Sequence, residues 1–73
     1  MIKENDRIRT VVKKGKYPAG TIGVVVSVYT SGPACEVELW GDDGYPVDVV
    51  TYELSEIVLF QSKRDVINNL KAG

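Results

Sequence analysis

The chain has 73 residues, of which 44% are hydrophobic and 26% charged. That length and balance allow one small globular core and exclude a disordered chain. The formal net charge is -1, and the one cysteine, Cys35, leaves no intrachain disulfide to staple the fold.

Cysteine usage favours a reducing compartment. The polar start, MIKENDRIR, carries no signal-peptide pattern. The uncharged stretch 17–35 holds glycines, prolines, Ser27, Thr30 and Ser31, which argue against a transmembrane helix. A soluble, cytoplasmic protein with no membrane partner is expected. The charge is also segregated. Residues 1–16 carry Lys3, Arg7, Arg9, Lys13, Lys14 and Lys16 against Glu4 and Asp6. Residues 17–61 carry seven carboxylates (Glu36, Glu38, Asp42, Asp43, Asp48, Glu53 and Glu56) and no basic residue. Solvated faces of opposite sign explain this, and so does a partner that reads one of the signs.

Residues 6–12 alternate, with Arg7 and Arg9 on one side and Ile8, Thr10 and Val12 on the other, which predicts a first strand. After the glycine loop, a second strand from Gly23 places Val24, Val26 and Val28 on one face and Val25, Ser27 and Tyr29 on the other. The turn at 30–33 leads into the clearest alternation. Cys35, Val37 and Leu39 point inward, and Glu36, Glu38 and Trp40 outward. Gly41-Asp42-Asp43-Gly44 predicts a hairpin turn. Residues 45–52 form a fourth strand, with Val47, Val49 and Thr51 inward and Asp48 outward. Residues 53–56 read as one helical turn and 57–60 as a short fifth strand. Ser62 and Asp65 have capping-box spacing, so a terminal helix with an apolar stripe of Val66, Ile67 and Leu70 follows. Five short strands joined by tight turns indicate a mainly β protein, a small closed or half-open barrel over residues 1–61, with the short C-terminal α-helix over 62–73 packed on it or on a partner.

The pattern Asp6-x-Ile8, Gly20-x-x-Gly23-Val24-Val25-x-x-Val28-Tyr29, Glu36-Val37-Glu38-Leu39, Asp43-Gly44 and Leu54-x-x-Ile57 resembles the domain of unknown function 4926 family, over residues 2–60. Those are small bacterial proteins, and the resemblance implies a five-stranded SH3-like barrel and no particular activity. The loop also looks like the KOW motif of ribosomal proteins and transcription factors, through Gly20, Gly23 and Val25, where it touches RNA or protein. Lys13, Lys14 and Lys16 precede the loop, and no basic residue follows until Lys63. Phosphate neutralisation dominates nucleic-acid affinity, so the glycines read first as a structural corner and second as an RNA contact.

No histidine is present, which removes Ser-His-Asp and Cys-His pairs and the commonest metal ligand. Cys35 falls in the apolar phase of its strand and reads as an inert thiol. Asp42-Asp43-Gly44 fails the calcium-loop register, because with Gly44 at position six the first and twelfth positions are Leu39 and Val50. No enzyme, metal or cofactor is expected.

If Val24, Val37, Leu39, Val47 and Val49 fill the barrel, then Val25, Tyr29, Trp40, Val50 and Tyr52 lie outside it. The terminal helix covers that apolar surface, or another protein does. The expectation is a non-enzymatic protein-binding module. Its sharpest form is an antitoxin or immunity-type protein that occludes a basic site on its partner through Trp40, Tyr29 and Tyr52, with Glu36, Glu38, Asp42 and Asp43 around them. The alternatives are a nucleic-acid-binding module using Arg7, Arg9, Lys13, Lys14 and Lys16, or a structural homo-oligomer, such as a homodimer, pairing through edge strands or the terminal helix.

Overall fold

The structure, a computed structural model, describes residues 2–60; the helix expected over 62–73 lies outside the described residues. Five strands form one antiparallel sheet: β1 (Arg7–Thr10), β2 (Ile22–Val28), β3 (Ala34–Trp40), β4 (Pro46–Glu53) and β5 (Ile57–Leu59), in the spatial order β4-β3-β2-β1-β5. A 3₁₀ turn, Leu54–Glu56, joins β4 to β5. These two strands are the sheet's edges and do not pair with each other, so the sheet is not closed. Among the described residues there is no α-helix, and no helix is long and apolar enough to cross a membrane.

The core lies on one face of the sheet: Ile8, Val25, Cys35, Val37, Leu39, Tyr52 and Ile57 are buried, with Thr10 among them. Thr10 is polar yet satisfied, and it organises the long β1–β2 connection. Its backbone exchanges bonds with Thr21 (2.9 Å) and Gly20 (2.7 Å). Its hydroxyl donates to the Pro18 carbonyl (3.3 Å) and accepts the Thr21 N–H (3.1 Å). Within that connection Lys14 and Tyr17 exchange backbone hydrogen bonds at 2.9 and 3.0 Å, closing a tight turn.

The β1 and β3 phases match the sequence pattern: Ile8 and Thr10 are buried between exposed Arg7 and Arg9, and Cys35, Val37 and Leu39 are buried between half-buried Glu36, Glu38 and Trp40. The phases expected for β2 and β4 are corrected. Val25 is buried while Val26 is 44% exposed, and Tyr52 is buried while Val47 and Val49 are 53% and 51% exposed. Val24 is half-buried and Val50 packs on the core's margin. The cause is cross-strand register. Residues directly opposite in an antiparallel pair share a face. Val37 lies opposite both Val25 and Val50, and Cys35 opposite Tyr52, so the unambiguous phase of β3 is imposed on both neighbours. A register shift between Val25 and Ser27 then lets Val28 pair with Cys35 and reach the core margin from the same strand.

Candidate functional site

The face of the sheet opposite the core carries Arg7, Arg9, Ile22, Val24, Glu38, Trp40 and Val49, as the pairs Arg7↔Val24, Arg9↔Ile22, Val24↔Glu38 and Glu38↔Val49 require. Two clefts meet there at Trp40. The larger, about 660 Å³, lies between the 16–22 segment and the β3–β4 hairpin, and its walls include Lys16, Tyr17, Ile22, Asp42 and Val47. The smaller, about 260 Å³, is lined by Arg7, Ile22, Val24, Trp40 and Phe60. Trp40 and Ile22 belong to both. The Trp40 indole Nε1–H is buried and meets no acceptor among the described residues. A buried donor left without an acceptor is costly.

The other residues expected at a partner surface are dispersed. Asp42 and Asp43 are exposed on the hairpin turn, where Asp43 Oδ1 accepts the Tyr45 N–H at 3.1 Å, and Asp42 walls the larger cleft. Glu36 stands four residues from Trp40 along β3, about 13 Å away. It accepts hydrogen bonds from the Tyr29 hydroxyl and from Thr51 Oγ1, the latter at 2.8 Å. These bonds hold the Glu36 carboxyl below its usual range, and the Glu36 bond raises the Tyr29 phenol. Tyr29 is 44% exposed, so this pair is accessible but apart from the clefts. Tyr52, expected outside the barrel, is buried instead. Its place opposite Cys35 puts it in the core, where burial raises its phenol and its hydroxyl has no hydrogen-bond partner among the described residues.

The basic residues are divided as well. Arg7 and Arg9 are exposed on the outer face, Lys13 is exposed in the connection, and Lys16 lies 5.6 Å from the Tyr17 ring centroid. Lys14 is engaged internally. Its Nζ donates to Glu56 Oε1 at 2.9 Å and to the Thr51 carbonyl at 2.8 Å, and stands 4.7 Å from the Tyr52 ring centroid. The Cys35 thiol is buried and pushed up by that burial. Among the described residues no three potential metal ligands stand together.

Sequence reasoning misses Tyr17, Ile22 and Phe60 as site residues. Tyr17 is set by the Lys14–Tyr17 turn and by its hydroxyl donating to Asp48 Oδ2 at 2.8 Å, a contact across 31 positions with no local signature. Ile22 was legible in principle. It continues the even-numbered face of β2 that also holds Val24, once β1 is known to pair with it.

The Lys14–Glu56 contact gives a pH prediction. The Lys14 bond, and then the Glu53 N–H, hold the Glu56 carboxyl below its ordinary value of 4.5. A depressed carboxylate stabilises the fold above its unfolded value, and that contribution is lost as pH falls through the lower folded one. The thermal midpoint is therefore expected to fall on acidification below about pH 4.5, and Glu56→Gln to make that fall shallower. An unchanged acid limb in Glu56→Gln refutes this. Compared with protein-family models, with curated proteins and with solved structures, the chain finds no match.

Proposed function

We propose that the chain is a non-catalytic protein-binding module, a half-open SH3-like barrel of the kind its resemblance to the domain of unknown function 4926 family implies, whose partner seats a segment over Trp40. The strand order and the 3₁₀ turn before β5 support the barrel reading. The observation that carries the binding reading is that Trp40 lines both clefts on this face, where they meet. Trp is the residue type that most often anchors a protein interface, through its area and its one donor. An apolar side chain of the partner would fill the space beside Ile22, Val24 and Trp40. Asp42 at one rim, Asp43 next to it on the hairpin turn and Glu38 on the same face suit a basic partner, as in an antitoxin or immunity-type protein acting in the cytoplasm.

One observation favours a nucleic-acid reading: Arg7 and Lys16 each line one of the clefts. Against it, Lys14 is committed to Glu56 and Thr51, which divides the basic run.

The test is affinity purification with the parent chain and with Trp40→Ala, followed by binding kinetics. Trp40→Ala is expected to weaken binding by ~2 kcal/mol or more, mainly through faster dissociation. An acidic protein or a nucleic acid as the recovered partner, or equal binding by Trp40→Ala, overturns the reading.

A further inference from the structure

Among the described residues β4 pairs with β3 alone, so its far side is a sheet edge. In an antiparallel edge strand every second residue points its N–H and C=O away from the neighbour, and such a row is a template for another strand. In β4 three of the groups of that phase are capped by side chains. The Val49 N–H donates to Asp48 Oδ1 at 2.8 Å. The Thr51 carbonyl accepts Lys14 Nζ at 2.8 Å, and the Glu53 N–H donates to Glu56 Oε1 at 2.9 Å.

The caps are not independent. Lys14 Nζ and Glu56 Oε1 are joined at 2.9 Å, so one cation caps Thr51 and holds the carboxylate that caps Glu53. Asp48, which caps Val49, is held through its other oxygen by the Tyr17 hydroxyl at 2.8 Å. Lys14 and Tyr17 are the two ends of one tight turn, bonded backbone to backbone. A single turn in the β1–β2 connection thus supplies or steers every one of these caps.

We infer that the 14–17 turn is a guard on the β4 edge, and that the strand it excludes is β4 of a second copy of this chain. The second copy is the natural occupant because two antiparallel β4 strands related by a two-fold axis pair isologously. Val47 and Val49, each about half exposed, would gain apolar cross-strand contacts in that pairing. The Pro46 ring at the strand's start, lacking an N–H, closes the row at that end. The guarded edge adjoins the larger Trp40 cleft, whose wall also includes Tyr17 and Val47, but the inference does not depend on what that cleft binds.

The test uses the full chain carrying Lys14→Met with Tyr17→Phe, which removes the cation and the hydroxyl while keeping side-chain bulk. Light scattering across a concentration series is expected to show one mass for the parent and a concentration-dependent doubling for the double variant. Adding Val49→Lys, a charge beside the edge, should restore the parent's mass. A folded double variant that keeps the parent's mass at every concentration overturns the inference. Amide exchange in the parent is a second test that no folding defect can obscure. The Val49 and Glu53 amides should exchange several-fold more slowly than the Thr51 amide, which shares their phase and has no cap among the described residues. Equal rates at the three positions overturn it as well.

Discussion

Gly23→Ala is expected to destabilise the protein by about 3 kcal/mol, the upper end of what overpacking a core costs. In a domain this small that is a fall in Tm on the order of 15 °C. A Cβ at Gly23 would lie 2.6 Å from Val37 Cγ1, 2.8 Å from the Glu38 carbonyl oxygen and 3.3 Å from Leu39 Cδ2. The valine methyl has no free space to enter, since Val37 is fully buried, and the carbonyl belongs to β3, which is paired on both sides. Relief would need two central strands to separate. Gly20 is different. Its φ of +93° is the requirement there, and a Cβ would meet nothing within 4 Å, so Gly20→Ala should cost about 1–2 kcal/mol by backbone strain alone. Gly32→Ala, with open space and no positive φ, is the control and should leave Tm within a degree or two of the parent. Thermal melts of the three variants decide the matter. A parent-like Tm for Gly23→Ala would mean that β2 and β3 do not approach as described. Gly20 makes a corner of positive φ and Gly23 a close approach of β2 to β3, so the KOW-like spacing requires no bound RNA to explain it.

Tyr52 yields the second large effect, with a pair of substitutions that separate packing from hydrogen bonding. Tyr52→Ala should cost about 4 kcal/mol, because it removes the largest fully buried side chain and leaves a cavity bounded by β3. It also removes the ring beside the Lys14 ammonium. Tyr52→Phe should be neutral or stabilising by up to about 1 kcal/mol. It deletes a hydroxyl that is buried without a hydrogen-bond partner among the described residues, while the ring stays in place. Urea unfolding with unchanged m-values measures both. A loss of more than about 1 kcal/mol in Tyr52→Phe would show that the hydroxyl does have a partner in the folded chain. Had Tyr52 anchored a partner, as its sequence phase suggested, both substitutions would act on binding and hardly on stability. The two readouts therefore distinguish core from interface.

The order of elements was legible because turns and alternation are local. Thr30-Ser31-Gly32-Pro33 and Gly41-Asp42-Asp43-Gly44 separate β2, β3 and β4 where expected, and the helical turn falls at Leu54–Glu56, inside the expected 53–56. The phase of β3 was legible too, since charged residues alternate with Cys35, Val37 and Leu39, and burying Glu36 or Glu38 instead would be prohibitive. Trp40 was legible as a candidate anchor from that same phase.

The faces of β2 and β4 were not legible. Val24, Val25 and Val26 are equally apolar, so either phase of β2 buries similar hydrophobic area, and in β4 the charge of Asp48, which shares its phase with Val50 and Tyr52, points to the wrong face. A strand's own pattern cannot choose between equal faces, and a shift of one residue exchanges them completely. The choice came from pairing across β3, with Val37 between Val25 and Val50 and Cys35 beside Tyr52. Composition, charge segregation and local turn chemistry are properties of the chain alone, and they determined how many strands form and where they end. Which side of β2 and β4 is core, that Lys14 caps an edge strand 37 positions away, and that Arg7, Lys16 and Trp40 line neighbouring clefts were decided only by the tertiary structure. Register and long-range hydrogen bonds join residues that no short stretch of sequence contains together.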